Sequence, residues 1–218
     1  MILNAFFISF KVVVVAVIVS LIITLVAINL LIEKKIKGKN IIETIMIFPM
    51  FLPPSAVGYL ILIAFGRRGF IGSILYDKFD TSIIFTWVAA ALVGVIVSLP
   101  VMYQSIKASI LGIDLDIKNA AREMGASEFQ VFKKISLPLS KKGILTGVIL
   151  SIARVFGEFG ATILVAGNIP GDTQTVPMAM YYAIENNDIL ASRTILIVIV
   201  VISIALTCLY NRILKRIV

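Results

Sequence analysis

The sequence of 218 residues contains no histidine and a single cysteine, Cys208. Without histidine, this chain cannot build a His-based catalytic triad or a Cys/His metal site, and one cysteine excludes a disulfide framework. Charged residues make up only 15% of the chain, whereas hydrophobic residues make up 60% and the mean hydropathy is +1.06. This composition is far too apolar for a soluble domain and indicates an integral membrane protein.

Long uncharged runs cover much of the chain, at residues 12–32, 44–66, 81–106 and 194–211. A fifth run, 143–167, is equally apolar except for Arg154 and Glu158. Because about 20 apolar residues cross a hydrocarbon core, the sequence predicts an all-α membrane protein with about five transmembrane helices. The first run exceeds a signal-peptide core, and its positive charges follow it rather than precede it, so we expect it to be retained as a helix.

The net charge of +8 is unevenly distributed along the chain. Lysines and arginines cluster after the first run, within residues 107–142 and at the end of the sequence. Five alternating spans place all three clusters on one side, and basic loops are retained in the cytoplasm. We therefore expect a multi-pass protein of the cytoplasmic (inner) membrane, with its N-terminus outside and its C-terminus inside. The basic excess is a topology signal and does not indicate a nucleic-acid partner.

The second span contains three prolines, Pro49, Pro53 and Pro54. Proline removes a helical hydrogen bond and clashes with the preceding turn, so the helix is expected to be kinked or broken there. Such a break survives at membrane depth where neighbouring helices or a water-filled cavity satisfy the freed carbonyls. Two interpretations stay open, namely a packing kink and a break that lines a translocation path.

The fourth span carries the two residues that are most costly to place in a membrane. Arg154 and Glu158 lie four residues apart, which puts them on one face of a continuous helix where they can neutralise each other. They are either an internal ion pair that stabilises the bundle or, with Pro53, Pro54 and Gly160, part of the path or its gate.

The segment 107–142 carries eleven charged residues and is too long for a simple turn. Apolar residues recur at helical spacing over its first half and predict an amphipathic stripe: Ile113, Ile117, Ala120, Ala121 and Met124. Gly125 interrupts this stripe, and Ser127 with Gln130 predicts a capping box that opens a second helix. The apolar side of that helix is expected to hold Phe129, Phe132 and Ile135, and Leu137-Pro138 is expected to end it. The alternative is a solvated connector.

The sequence NAAREMGASEFQVFKKISLPLS in this segment resembles the EAA loop of ABC importer permeases. That family's pattern is E-A-A, three residues, Gly, and about nine residues later I-x-L-P. Asn119 stands where the family usually has Glu, which leaves an acidic contact there in question. The resemblance implies that the segment forms a coupling helix in a groove of a separate ATPase. The implied coupling residues are Asn119, Ala120, Ala121, Gly125, Ala126, Ser127, Phe129, Ile135, Leu137 and Pro138.

Two further segments, FPMFLPPSAVGYLILIAFGRRGFIG and ARVFGEFGATILVAGNIPGDTQTVPMAMY, are similar to the molybdate permease branch of that family. The similarity covers residues 8–210 and implies a single transmembrane domain that transports molybdate or tungstate. It also implies a second permease copy, two ATPase subunits that hold ATP and Mg, and an external oxyanion-binding protein. The permease itself then needs no cofactor, metal or catalytic residue. The rival sulfate/thiosulfate branch shares the GEFG segment but is not marked by GRRG or TQTVP.

The charge pattern places two segments at the outer face. Arg67 and Arg68 are expected either to attract the anion and its binding protein or to anchor the chain at lipid headgroups. The loop beginning at Asn168 is expected to line an outer gate or to dock the binding protein through Asn168, Pro170 and Thr175.

Two other classes of function fit this sequence less well than an ABC permease. An ATP-independent secondary transporter or channel would suit Arg154 and Glu158 but has no reason to present a docking helix pair. An intramembrane enzyme is disfavoured because Glu43 and Glu158 are far apart in sequence and no nucleophile–base pair accompanies them.

Overall fold

The computed structural model describes residues 2–33 and 37–216, and these residues form helices and loops without a strand. The helices are α1 (Ile2–Ile28), α2 (Lys39–Ile47), α3 (Pro54–Phe65), α4 (Phe70–Phe79), α5 (Trp87–Leu111), α6 (Leu115–Glu123), α7 (Glu128–Val131), α8 (Leu137–Leu139), α9 (Lys141–Phe156), α10 (Gly160–Ala166), α11 (Val176–Glu185) and α12 (Ile189–Arg216). Short π- or 3₁₀-helical segments extend three of them, at Asn29–Glu33, Phe48–Phe51 and Phe132–Ser136. The predicted all-α fold is confirmed.

The described residues contain three single helices that are long and apolar enough to cross a membrane: Ile2–Ile32, Trp87–Leu111 and Ile189–Arg212. Two bent pairs meet the same criterion, Lys39–Phe51 with Pro54–Phe65 at 120° and Glu128–Leu139 with Lys141–Phe156 at 72°. Counting each bent pair as one span gives up to five, but the second pair includes part of the segment 107–142 and does not coincide with the predicted span 143–167. The bounds differ, because the first helix already begins at Ile2 and the third runs from Trp87 to Leu111.

The core of the bundle is α5, which packs between α1 and α9. Gly94 makes this close approach possible, because a Cβ there would lie only 2.8 Å from the Cβ of Ala16 and 2.9 Å from Val155. Small residues at helix crossings are typical of membrane proteins, in which packing rather than the hydrophobic effect holds helices together. Of an apolar 18-residue stretch of α5, 61% is buried within the described part of the chain.

Helix α12 lies on the outside of this bundle. Only 6% of its most apolar stretch is buried against the rest of the described chain, although the mean hydropathy of that stretch, 2.7, exceeds the 1.8 of α5. An apolar helix that is exposed on nearly every side is stable in lipid and unstable in water. The burial pattern therefore agrees with a protein whose outer surface faces the membrane.

The break predicted in the second span is confirmed. After α2 the chain passes through the 3₁₀ segment Phe48–Phe51, turns extended at Leu52 and Pro53, and restarts as α3 at Pro54. Proline is tolerated at the first position of a helix, where its missing N–H would have no helical partner. The run of prolines therefore ends one helix and begins the next.

The predicted continuous fourth span is wrong. Helix α9 ends at Phe156, residues 157–159 are not helical, and the short α10 starts at Gly160. Gly157 and Gly160 flank this break in the sequence, and glycine weakens a helix. The carboxylate of Glu158 lies between the two helices and bonds to both Arg154 and the Ala161 amide.

Candidate functional site

The connector between α5 and α9 folds as a compact helix–turn–helix. Asp114 caps α6 by accepting a hydrogen bond from the amide of Asp116 at 2.9 Å. The chain turns away from the end of α6 at Gly125, whose φ of +86° is a left-handed conformation that disfavours a side chain. The amide of Gly125 donates to the Arg122 carbonyl and the amide of Ala126 to the Ala121 carbonyl, which completes a Schellman motif.

The predicted capping box of the second helix is confirmed. The Gln130 amide donates to the hydroxyl of Ser127 at 3.3 Å, and the Ser127 amide donates to the side-chain oxygen of Gln130 at 2.8 Å. These reciprocal bonds satisfy two amides that the first helical turn leaves without partners. The start of α7 is thereby fixed directly after the glycine turn.

A bidentate ion pair joins the two helices of the connector. The Nε and Nη2 atoms of Arg122 donate to the carboxylate of Glu128 at 2.8 and 2.9 Å. The third guanidinium nitrogen, Nη1, donates to the side-chain oxygen of Asn119 at 3.0 Å. Planar two-point pairs of this kind fix geometry as well as adding energy. Asn119 thus supports the connector from within its own helix.

The apolar stripe predicted for α6 is divided between two faces. Ile113 is buried against the bundle, whereas Ile117 and Ala120 are exposed and Met124 is 88% exposed. Leu115 and Phe129 are exposed on the same connector. A well-ordered segment that leaves this much apolar surface uncovered has the character of an interaction site.

Two details of the second helix differ from the prediction. Phe132 is buried but Phe129 is exposed, so they do not share one apolar side, and Ile135 is half-buried. Leu137-Pro138 does not end the helix either. A π-helical segment, Phe132–Ser136, leads into Leu137–Leu139 with Pro138 near its start, and the chain bends only at Ser140. The wider π turn rotates the following side chains, which spacing in the sequence cannot reveal.

The predicted ion pair between Arg154 and Glu158 is present, with 2.7 Å between Arg154 Nη1 and Glu158 Oε2. Glu158 does not lie on the same helix face, however, because it follows the end of α9. Its other oxygen accepts a hydrogen bond from the amide of Ala161 at 3.0 Å, so the carboxylate also satisfies the start of α10. Glu158 is 4% exposed, whereas the Arg154 side chain is 38% exposed. One buried carboxylate therefore connects both halves of the broken span.

The two broken spans meet at this level. A Cβ on Gly160 would lie 3.1 Å from the Cβ of Pro54, so the start of α10 touches the start of α3. Pro53, Pro54 and Ser55 are exposed on this side. The structure thus brings together the candidate path residues of both spans, while Glu158 itself points into the protein.

Several polar side chains that the sequence analysis did not group together lie close to Glu158. A cavity of about 10 Å³ borders Glu158, Ser9, Thr162 and Thr175. Ser9 Oγ accepts a hydrogen bond from the amide of Val176 at 2.8 Å, which fixes α1 to the start of α11. Thr175 is buried, so docking at the surface does not fit this residue.

The loop between α10 and α11 is folded back on itself. The hydroxyl of Thr173 accepts from the Ile169 amide at 3.1 Å and donates to the Gly167 carbonyl at 3.2 Å. Gln174 is buried and donates from Nε2 to the side-chain oxygen of Asn168 at 2.9 Å. Only Pro170 at the tip is exposed among the residues predicted here. The polar T-Q-T run is therefore mainly the internal framework of this loop.

The two arginines between α3 and α4 have different surroundings. Arg67 lies over the ring of Tyr76, 3.9 Å from its centroid, and also donates to the tyrosine hydroxyl. The Gly69 amide donates to the Gly66 carbonyl at 2.7 Å and closes the turn. Arg68 is exposed. Arg67 thus stabilises the turn between α3 and α4, and Arg68 is the more accessible cation.

A partly buried polar cluster connects α2 to α5, and the sequence analysis did not predict it. The two carboxylate oxygens of Glu43 accept hydrogen bonds from the hydroxyl of Tyr103 and from Lys107 Nζ, each at 2.7 Å. Tyr103 is fully buried. Because these residues lie 60 and 64 positions apart, no local pattern points to the contact.

Within residues 2–33 and 37–216, no group of three or more acidic or cysteine side chains could hold a metal ion. The site consists instead of two broken apolar spans that touch at Pro54 and Gly160 and of an exposed connector between α5 and α9. This combination defines the chain as a multi-pass membrane permease.

The chain belongs to the family of binding-protein-dependent transport system inner membrane components, which matches residues 16–218. It is 46% identical to the putative molybdenum transport system permease protein YvgM of Bacillus subtilis, over 76% of this chain and 73% of that protein. It is 44% identical to the molybdenum transport system permease protein ModB of Escherichia coli, over 72% of this chain and 68% of that protein. The predictions of an ABC-type permease and of a transport protein rather than an enzyme are confirmed.

The sulfate branch is more distant. A sulfate transport system permease protein, CysW of Synechococcus elongatus, is 36% identical over 67% of this chain and 51% of that protein. Among solved structures, a bacterial alginate ABC transporter in complex with a periplasmic protein has a TM-score of 0.75 and covers 99% of this chain and 78% of its own. At 15% identity, that similarity shows the fold alone.

Proposed function

We propose that this chain is the permease subunit of an ATP-driven importer that carries molybdate or tungstate across the inner membrane. The observation that carries this proposal is the similarity to two permeases named for molybdenum transport, at 44–46% identity over most of the chain. The lower identity to a sulfate permease favours the larger oxyanions over sulfate. The single transmembrane domain comprises residues 8–210.

The exposed connector, residues 107–142, is the proposed contact with the ATPase. Its surface offers Leu115, Met124 and Phe129, and the small residue Ala120 lets a partner approach the backbone closely. Arg122 and Glu128 hold its two helices at a fixed angle, so movement of a partner is passed to α5 and α9 rather than lost in a flexible loop. Force transmission needs such a rigid element. ATP and Mg are bound by the partner.

The proposed path passes the junction of the two broken spans, where Pro53, Pro54 and Gly160 meet. The partly exposed Arg154 provides the positive charge that attracts an oxyanion, and Glu158 keeps that charge partly neutralised. Partial neutralisation suits transport, because a dianion must leave the site as well as enter it. Two copies of the permease face each other across this path and bind two ATPase subunits.

At the outer face, Arg68, Asn168 and Pro170 are the proposed docking residues for an external oxyanion-binding protein. In this proposal the N-terminus lies outside and the C-terminus in the cytoplasm, an orientation that the distribution of basic residues favours. With this orientation the connector faces the cytoplasmic ATPase.

Uptake by the assembled importer tests the substrate. The permease, its ATPase and its binding protein are expressed in cells that lack their own molybdate and sulfate importers, and uptake of both labelled anions is measured. We expect molybdate or tungstate uptake at trace concentration, with little competition from a large excess of sulfate. Sulfate uptake that molybdate fails to inhibit would assign the chain to the sulfate branch. The control is the same strain without the permease.

A further inference from the structure

The small cavity beside Glu158 has the size of one water molecule. Its volume is about 10 Å³, and a single buried water needs a cavity of roughly 10–15 Å³. Helices α1, α5, α9 and α10 surround it, together with Glu158 in the break of the fourth span and Thr175 directly before α11. The cavity is therefore at the lower limit for one water and excludes any larger ligand, including an oxyanion.

The border of this cavity contains several buried polar side chains. Ser9, Glu158, Thr162 and Thr175 border it, and each of them is between 3% and 5% exposed. A cavity lined only by apolar side chains stays dry, whereas a buried water is held by roughly two to four polar partners. The polar groups that a water requires are thus present around this cavity.

One of these groups lacks a partner of its own. The hydroxyl of Thr175 makes no hydrogen bond to any residue that the structure describes. The residue is fixed in place, because its backbone carbonyl accepts from the amide of Ala179 at 2.8 Å in the first turn of α11. Burying a hydroxyl without a partner is costly. A water in the adjoining cavity removes that cost.

The carboxylate of Glu158 has spare capacity to accept a hydrogen bond. Its two oxygens together offer about four acceptor positions. Two of these are used, one by Arg154 Nη1 at 2.7 Å and one by the amide of Ala161 at 3.0 Å. A water between the two groups can donate to this carboxylate and accept the hydroxyl hydrogen of Thr175, so both groups gain a partner.

We propose that the cavity binds a single ordered water that links the carboxylate of Glu158 to the hydroxyl of Thr175. Glu158 already joins the end of α9 to the start of α10, and the water extends this connection to the start of α11. A water-mediated contact of this kind is nearly as favourable as a direct hydrogen bond. The break in the fourth span is then held from three sides, by Arg154, by the Ala161 amide and by the water.

The first test is the sign of a stability change. Thr175→Val keeps the shape of the side chain and removes its hydroxyl, and unfolding of the purified permease is measured in detergent. We expect the folding equilibrium constant to fall about fivefold, because the water loses a partner. Without a water, the same change would only remove a hydroxyl that has no partner, and the constant would stay equal or rise. An equal or higher constant for Thr175→Val would therefore overturn the proposal.

The matched control is Thr24→Val. The hydroxyl of Thr24 is also buried and also lacks a hydrogen-bond partner among the described residues, but Thr24 does not border this cavity. We expect the folding equilibrium constant of Thr24→Val to equal or exceed that of wild type. A fivefold loss in both variants would show a general cost of replacing threonine by valine and would contradict a water at Thr175.

The second test is direct and covers the case in which Thr175→Val fails to fold. A density map of the wild-type permease that resolves other buried waters should contain a peak within hydrogen-bond distance of both Glu158 and Thr175. No peak at this position in such a map would refute the proposal. Where Thr175→Val folds, its map should lack the peak, and an unchanged peak would show that Thr175 does not hold the water. Neither test involves transport, so both are independent of the molybdate assignment.

Discussion

The ion pair between Arg154 and Glu158 predicts an asymmetric response to substitution. The Glu158 carboxylate is 4% exposed, and Arg154→Leu leaves it with the Ala161 amide as its described hydrogen-bond donor. Breaking a buried pair in this way costs about 3–5 kcal/mol. Glu158→Gln leaves Arg154 unpaired, but its side chain is 38% exposed and is solvated. The cost of Glu158→Gln is the loss of one hydrogen bond between charged groups, which is about 1.5–3 kcal/mol before it is reduced by the partial solvation of Arg154.

The double variant Arg154→Leu/Glu158→Gln removes both charges and retains an amide oxygen that can accept from Ala161. We therefore expect stability in the order wild type, Glu158→Gln, Arg154→Leu, with the double variant above Arg154→Leu. The measurement is a double-mutant cycle on the unfolding of the purified chain in detergent. If Arg154→Leu were no less stable than Glu158→Gln, or the double variant no better than Arg154→Leu, a stranded buried charge would not be the cause.

Transport by the same variants separates a structural pair from a path residue. If the pair only neutralises itself, the double variant transports molybdate at nearly the wild-type rate in proteoliposomes. We expect instead that it inserts normally and transports poorly, because the path then lacks the positive charge of Arg154. Normal uptake by a stable double variant would contradict a role in the path.

Three further outcomes test the rest of the structure. Ala120→Trp, on the exposed face of α6, should insert normally but fail to retain its ATPase in a pull-down. The control Lys141→Trp lies outside that face and should retain the ATPase. Undiminished co-purification of the ATPase with Ala120→Trp would show that this face is not the contact. Gly125→Ala should lower the free energy of unfolding by about 1 kcal/mol. A Cβ there meets no atom within 4 Å, so the cost comes from the left-handed φ of +86° and not from a clash. An unchanged stability would refute the backbone argument. A reporter active only in the cytoplasm should be active at the C-terminus, and its silence in a normally inserted protein would overturn the topology.

Composition and local patterns in the sequence determined the class of this protein. Long uncharged runs allow only a membrane bundle, because no soluble surface could be built from them. The break at Pro53 and Pro54 follows from the covalent structure of proline, and the capping box at Ser127 and Gln130 involves residues three positions apart. Each of these features depends on neighbours along the chain, which is why it could be predicted.

Only the tertiary structure decided where the polar groups lie. Glu43 meets Tyr103 and Lys107, which lie 60 and 64 residues further along the chain. Glu158 lies outside α9 rather than on it, and Thr175 is buried although its segment resembles a surface loop. The physical reason is the same throughout. In an apolar bundle a polar side chain must find a partner wherever the packing places one, and that partner is set by which helices cross rather than by sequence spacing.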